Sequence, residues 1–233
     1  MANVEFFDDF IGAAVAFPTS ANIATPWVIT ETSAGGAPTY VRGVDDGGGG
    51  GIARLQFAAD NEVENICLSF GNTLTFDIDD GLIWESRIRL GQAALDTTTS
   101  LAFGLAGDRN DTLDSVAQHC WFRMEGGTST TLVVCESDDG TTDNDDIATG
   151  LTLTTGWKTF RISMSPPVAS KSNIQFSMSD AAGVLTRVAP GTTFSMAAYS
   201  SALQPIFQIQ KTADTNTDYI DIDYVKIRRT LNS

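Results

Sequence analysis

The stretch DYIDIDYVKIRR, at residues 218–229, lies four residues from the end of the chain. Its residues Ile220, Ile222 and Tyr224 alternate with polar ones, which is the period-2 pattern of a half-buried β-strand. A strand so near a chain end frays unless a sheet holds it. The stretch VEFFDDF at residues 4–10 has the same character at the opposite end. We therefore expect the two ends to pair and to close one large β-sandwich.

The alternation of the closing stretch breaks where two apolar residues, Tyr224 and Val225, are adjacent. A break of this kind predicts a β-bulge or a sheet edge. Beyond it, Val225 and Ile227 are expected to face the side opposite to that of the preceding isoleucines.

Four aspartates form a candidate cation site near the paired ends. Asp221 and Asp223 share the face opposite the core, and Asp8 and Asp9 lie near them if the ends pair. Like charges so close need separation, a basic neighbour such as Arg228, or a cation. The four are therefore candidate ligands of a structural calcium ion, although simple solvation of the carboxylates is the favoured interpretation.

The composition of the chain argues against several classes of function. The chain has 233 residues, with 14 Lys and Arg against 29 Asp and Glu and a net charge of −15. Such a surface repels phosphates, so we expect no nucleic-acid partner. No apolar run reaches the ~18 residues of a membrane span. The first residues lack the basic start and apolar run of a signal peptide, which predicts a product that is made in a cytoplasm and not exported by the general secretory route.

Strand-like segments follow one another along the whole chain. About 13 of them recur, at spacings of roughly 8–15 residues, with turn signals between them and no amphipathic helix. No repeat or linker divides the sequence. The pattern predicts an all-β fold: a single antiparallel β-sandwich domain over residues 1–233.

The segment SDDGTTDNDD at residues 137–146 is the most acidic part of the chain. Its carboxylates suit Ca²⁺, which prefers oxygen ligands. The glycine and glutamate spacing of an EF-hand loop is absent, however. A solvated loop is therefore the favoured interpretation, with a calcium site as the alternative.

The three cysteines, Cys67, Cys120 and Cys135, form no disulfide framework. A hairpin centred on residues 127–128 would place Cys120 directly opposite Cys135. A cross-strand disulfide is one outcome of that register. Two packed thiols are the favoured one, because adjacent strands rarely suit the bond and the compartment is expected to be reducing.

Residues 101–106 alternate large apolar side chains with Ala102, Gly104 and Ala106. A face of small residues indicates close packing against another layer or another chain. Trp84 shares a face with leucines and isoleucines and is expected in the core. Trp121 lies on the strand face opposite to that of Cys120 and Phe122, so its side chain is a candidate for exposure to solvent.

Several motifs together resemble the concanavalin/laminin-G-like jelly roll. They are FFDDF at 6–10, LIWESRIRL at 82–90, AFGL at 102–105, GWKTFRI at 156–162 and IDIDYVKI at 220–227. The resemblance implies adjacent termini. It also implies glycosidase, lectin, carbohydrate-binding or phage structural roles. Its glycosidase branch carries a Glu-x-Asp-x-x-Glu strand with paired carboxylates. The nearest acidic alternation, at 75–80, lacks both glutamates, and the single His119 points away from Cys120. We therefore expect no enzyme.

Among non-enzymes, the chain is similar to the decoration (cement) proteins of tailed-bacteriophage capsids. That resemblance implies a virion protein that binds the major capsid protein lattice from outside, as a homotrimer, without a cofactor. Candidate contact residues are Phe6, Ala102, Gly104 and Trp121. The alternative is a carbohydrate-binding module or a lectin-like tail-fibre domain, which would stack aligned aromatic rings on sugars.

Overall fold

A computed structural model describes residues 3–22, 24–44, 51–165 and 169–230. Within these ranges the chain forms strands joined by loops and two single 3-10 turns. No helix in them is long and apolar enough to cross a membrane. The strands are β1 (Asn3–Asp8), β2 (Val15–Ala16), β3 (Val28–Thr32), β4 (Thr39–Val44), β5 (Ile52–Gln56), β6 (Glu62–Ser69), β7 (Phe76–Asp77), β8 (Leu82–Leu90), β9 (Thr99–Ala106), β10 (His119–Glu125), β11 (Leu132–Asp138), β12 (Asp143–Thr152), β13 (Lys158–Ser163), β14 (Gln175–Ser179), β15 (Leu185–Arg187), β16 (Ala202–Asp214) and β17 (Tyr219–Thr230).

These strands form two antiparallel sheets. The nine-stranded sheet has the order β15-β14-β13-β8-β17-β5-β4-β2, with β1 beside β17. The eight-stranded sheet has the order β12-β11-β10-β9-β16-β6-β3, with β7 beside β16. The predicted all-β antiparallel sandwich is confirmed. The strand number exceeds the expected one because several strands have only two or three residues, and because β12 forms where a loop was expected.

The closing strand β17 is central to its sheet. On one side it pairs with β8, from Ile220 opposite Leu90 to Arg229 opposite Leu82. On the other side its first residues pair with β5 and its last with β1. The expected pairing of the two chain ends is therefore confirmed.

A bulge interrupts β17 between Ile222 and Tyr224, slightly before the predicted position. The extra residue resets the alternation, so Val225 and Ile227 are buried on the core side. Tyr224 turns to the outer face instead, where its hydroxyl donates to Glu85 at 2.9 Å. The expectation that Val225 and Ile227 leave the core face, and that Tyr224 occupies it, is wrong.

Aromatic side chains fill the space between the sheets. Trp84 is fully buried, as predicted, and Trp27 is buried beside it in the same core. Phe103 packs edge-to-face against Phe160, with ring centroids 4.7 Å apart. Edge-to-face pairs of this kind add to the free energy gained from burying apolar area.

A buried ion pair joins β16 to β6. Lys211 lies opposite Glu64 in the register, and both side chains are fully buried. The Lys211 Nζ is 3.1 Å from Glu64 Oε2, and it also donates to the carbonyls of Ala58, Asp60 and Asn216 at 2.8, 3.0 and 3.2 Å. Burial raises the pKa of Glu64, and Lys211 opposes that rise. The ammonium thus satisfies four acceptors inside the protein.

The β10–β11 hairpin has a different register from the predicted one. Cys120 faces Ser137, and Cys135 faces Phe122. The Thr130 and Thr131 carbonyls, between the two strands, accept hydrogen bonds from the amides of Leu95 and Leu153, outside the hairpin. All three cysteines are free and buried, which confirms the packed-thiol alternative. Burial raises the pKa of each thiol.

The small-residue face of β9 packs against the chain's own loop, residues 107–118. A second apolar cluster fills this layer. Trp121, Ala102 and Ala106 are fully buried in it, so the expected exposure of Trp121 is wrong. A β-carbon at Gly104, where φ is +154°, would lie 2.7 Å from the Cys120 carbonyl oxygen. These residues therefore contact another layer of the same chain.

Candidate functional site

A polar cavity of about 230 Å³ opens on the outer face of the eight-stranded sheet. Strands β10 and β11 form its floor, β12 forms one wall, and the loop 107–118 forms the other. We call it the acidic pocket. Its lining is Leu113, Asp114, Val116, His119, Arg123, Glu125, Glu136, Asp138, Asp143, Asp145 and Asp146.

The strand period places the floor residues on one face. His119, Trp121 and Arg123 alternate along β10, and the register puts His119 opposite Asp138 and Trp121 opposite Glu136. Trp121 Nε1 donates to Glu136 Oε2 at 2.6 Å. The His119 ring stacks on Trp121, with centroids 3.9 Å apart. Its hydrogen bond and its stacking contact thus allow Trp121 to fix the orientation of Glu136 and His119 in the floor.

Glu136 is the centre of a buried charge cluster. Its Oε2 is 3.5 Å from Arg123 Nη1 and 3.8 Å from His119 Nε2. Arg123 also pairs with Asp114 and Glu125 at the pocket mouth. Glu136, His119 and Arg123 are 1%, 7% and 8% exposed.

Each of these three side chains retains an unpaired polar atom. His119 Nε2, Arg123 Nε and Glu136 Oε1 are three of eight buried polar side-chain atoms without a hydrogen-bond partner among the described residues. A buried polar atom left unpaired destabilises a protein by about 1–3 kcal/mol. Three in one cavity indicate a site whose partner comes from outside the chain.

Protonation differs between the two titratable groups of the floor. Burial raises the pKa of Glu136 to about 7, against the attraction of Arg123 and the Trp121 hydrogen bond. Burial also lowers the pKa of His119. A neutral His119 donates from Nδ1 to the Val116 carbonyl at 3.0 Å, so its Nε2 is an acceptor.

A β-bulge in β12 shapes the pocket wall. Cys135 faces Ile147, whereas Ser137 faces Asn144, so β12 holds one extra residue here. Asp146 occupies the left-handed region, with φ +52°. Neighbouring residues of a regular strand point to opposite faces, but the bulge brings both Asp145 and Asp146 to the cavity.

Three of the four aspartates predicted as a cation site are paired with arginines. Asp221 lies between Arg54 and Arg89, at 2.7 and 2.9 Å. Asp223 pairs with Arg87 at 2.9 Å.

At the other end of the predicted site, Asp8 accepts from Trp27 Nε1 and from Arg42, at 2.9 and 3.3 Å. Asp9 accepts from its own loop, at the Ile11 amide. The expected basic neighbour, Arg228, lies by Glu5. Among the described residues no cluster of three or more carboxylates, histidines or cysteines has the geometry of a metal site.

The four candidate contact residues do not share an exposed surface. Phe6 is half-buried and packs on Trp27 and Phe70. It lines an apolar cleft of about 410 Å³. Ala102 and Trp121 lie beneath the loop 107–118 and Gly104 is buried beside Trp121, so none of the three is exposed to a partner in this conformation.

Four residues of the acidic pocket, Asp138, Asp143, Asp145 and Asp146, lie in the segment for which a calcium site was the alternative prediction, whereas the floor of the pocket was not predicted. The segment 137–146 suggested a loop, whereas Asp143 begins the strand β12. One signal was available: Glu136 and Asp138 alternate on one strand. Two carboxylates at that spacing share a face, and one of them lies in an otherwise apolar strand.

No family model matches the chain, and no curated protein matches it in sequence. Solved structures do match in fold. One, described with endo-acting O-glycanases of the human gut microbiota, has a TM-score of 0.62 at 11% identity, covering 97% of this chain and 99% of that one. The Emp47p carbohydrate recognition domain has a TM-score of 0.56 at 12% identity, covering 97% of each chain. An uncharacterized protein from Mycobacterium paratuberculosis has a TM-score of 0.57 at 16% identity, covering 95% and 99%. At such identities the likeness shows the fold alone: the chain has a lectin-like jelly roll.

Proposed function

We propose that this chain binds carbohydrate, and that the acidic pocket is the saccharide site. The observation that carries the proposal is the set of three buried side chains, His119, Arg123 and Glu136, which line one cavity and each retain an unpaired polar atom. A ligand that forms hydrogen bonds with these atoms removes the free-energy cost of leaving them unpaired.

The chemistry of the pocket suits hydroxyl groups. A carboxylate only accepts hydrogen bonds and a guanidinium only donates them, whereas each sugar hydroxyl does both. Sites for drug-sized ligands have volumes of about 300–1,000 Å³. A smaller cavity suits a single sugar unit at a chain end or branch. Recognition is then polar, because Trp121 is too deeply buried to stack on a sugar.

The likeness to a carbohydrate recognition domain supports the proposal at the level of fold. One fold serves many functions, so the argument depends on the pocket and not on the likeness. The likeness gives a reason to test sugars before other small polar ligands.

A glycan array followed by isothermal titration calorimetry tests the proposal. We expect the wild-type chain to bind a subset of glycans, and Glu136→Ala to weaken that binding at least tenfold. Glu5→Gln, which alters an exposed ion pair on the other sheet, is the matched control and should bind like wild type. A wild-type chain that binds no glycan, or a folded Glu136→Ala variant that binds as tightly, would refute the saccharide site.

The absence of catalytic activity stays a prediction, since one structural neighbour is described with endo-acting O-glycanases. Mass spectrometry of each bound glycan after prolonged incubation tests it. Unchanged masses are expected. Release of shorter glycans would overturn the prediction.

Decoration of a phage capsid is the second candidate function. The large apolar side chains Phe7, Ile11 and Val15 are exposed in the N-terminal part of the chain. Exposed apolar side chains close in sequence suit a protein partner, here the major capsid protein. Co-sedimentation with phage heads that lack this chain tests the idea. Binding should decrease in Phe7→Ser/Ile11→Ser, and failure of the wild-type chain to co-sediment would exclude the role.

A further inference from the structure

We infer that the acidic pocket selects an amino sugar, with a free ammonium group beside a hydroxyl, over neutral, N-acetylated or acidic sugars. The inference rests on the proposed function, because it names the class of saccharide that the same site takes. Three features of the pocket support it: its charge, the crowding of its carboxylates and the polarity of its unpaired atoms.

The charge of the pocket is strongly negative. Seven carboxyl side chains line it, and Arg123 is the one Lys or Arg among the lining residues. Arg123 is already paired with Asp114, Glu125 and Glu136. None of the remaining carboxylates, Asp138, Asp143, Asp145 and Asp146, lies within ion-pair distance of a basic group in the described ranges. An anionic sugar would be repelled here, and a cation attracted.

The carboxylates of the wall are crowded because of the bulge. Burial, the hydrogen bond that protonated Asp143 donates to Asp145, and the charges of Asp145 and Asp138 all raise the pKa of Asp143. A like charge beside a carboxylate disfavours its ionised form, and a bound cation relieves that repulsion. An ammonium group supplies both the positive charge and three N–H donors to that cluster.

The unpaired atoms of the floor define the rest of the ligand. His119 Nε2 is an acceptor, and so is Glu136 Oε1 when its carboxyl is ionised, so the ligand must present donors to them. Arg123 Nε is a donor and requires an acceptor oxygen. A ligand with several donors and at least one acceptor within a cavity of about 230 Å³ matches an amino group next to a hydroxyl. A simple ammonium ion has no acceptor, and a neutral sugar has no charge.

Isothermal titration calorimetry with matched sugars tests the inference. The probes are glucose, glucosamine and N-acetylglucosamine, and the same three forms of galactose and mannose, so that each set differs only at carbon 2. We expect one amino sugar to bind at least tenfold more tightly than its neutral and N-acetylated counterparts. We also expect its affinity to fall several-fold as sodium chloride rises from about 50 to about 300 mM, because salt screens exposed charges.

A double variant tests whether the negative charge of the pocket, and not its shape, selects the ligand. Asp145→Asn/Asp146→Asn lies on an exposed edge strand and keeps the side-chain volume, and circular dichroism checks that it folds. It should lose at least tenfold in affinity for the amino sugar, whereas Glu5→Gln should leave that affinity unchanged. Equal or tighter binding of neutral or N-acetylated sugars would overturn the inference and leave the saccharide site standing. Binding of no sugar in any form would overturn both.

Discussion

Replacing Lys211 with methionine removes an ammonium group from the protein interior and keeps most of the apolar stem. The change leaves Glu64 buried without its ion-pair partner, because both side chains are fully buried. It also leaves the carbonyls of Ala58, Asp60 and Asn216 without their shared donor. The ammonium group connects β6, β16 and two loops, so its removal destabilises several elements at once.

The expected effect is large. Removing one partner of a buried ion pair typically lowers the free energy of unfolding by about 3–5 kcal/mol. We expect Lys211→Met to lower it by about 4 kcal/mol, since Glu64 retains only the Ala58 amide, at 3.1 Å, as a donor. For a chain of this length each kcal/mol changes the melting temperature by roughly 2–4 °C. The melting temperature should therefore fall by roughly 8–16 °C.

Urea denaturation and calorimetry at pH 7 measure the change. Lys226→Met is the matched control, because the Lys226–Glu5 pair is partly exposed. Surface pairs contribute about 0–1 kcal/mol, so the control should be nearly neutral. Adding Glu64→Gln to Lys211→Met removes the unpaired charge and should recover about 2 kcal/mol or more. A loss below about 1 kcal/mol in the single variant, or no recovery in the double variant, would refute the reasoning.

Three further predictions concern a buried acid, the thiols and a tryptophan. The pKa of Glu136 is about 7 in the folded chain, against 4.5 for an ordinary glutamate. The folded state therefore binds more protons between those values, and the free energy of unfolding should fall by roughly 3 kcal/mol as the pH rises through them. Glu136→Gln should flatten this dependence in denaturation curves at pH 5 and pH 8, and an unchanged slope would contradict it. The three cysteines should react with a thiol reagent only after unfolding, because burial raises their pKa; rapid labelling of the native chain would count against this. Trp27→Phe removes the donor to Asp8 and should lower the free energy of unfolding in urea by about 1–2 kcal/mol, with no change meaning that Arg42 alone suffices.

The alternation of apolar and polar residues predicted the fold, because apolar residues at every second position indicate both that a segment is a strand and which of its faces is buried. The closing stretch and the stretch 4–10 paired as expected, since each carries enough apolar side chains to be held in a sheet. Where the pattern was interrupted, the predictions were less accurate. The β17 bulge kept Val225 in the core, because an inserted residue changes the face of everything that follows.

The candidate site could not be predicted from local sequence patterns, because it depends on how strands pair and where a loop packs. Aspartates are rare in strands, so the segment 137–146, which includes the first residues of β12, was predicted to be a solvated loop. Its pairing with β11 overrides that preference. The loop 107–118 covers Trp121, and no local pattern specifies where a loop packs. Glu136 acquires its raised pKa only because β10, β12 and the loop meet around it.

The bulged strand β12 is also the open edge of its sheet. An open edge presents unpaired amide and carbonyl groups, to which a strand of another molecule can add. Here the left-handed Asp146 breaks the regular spacing of those groups. The negative charges of Asp143 and Asp145 repel a second copy of the same acidic chain. The wall of the pocket therefore also protects the protein against aggregation through this edge.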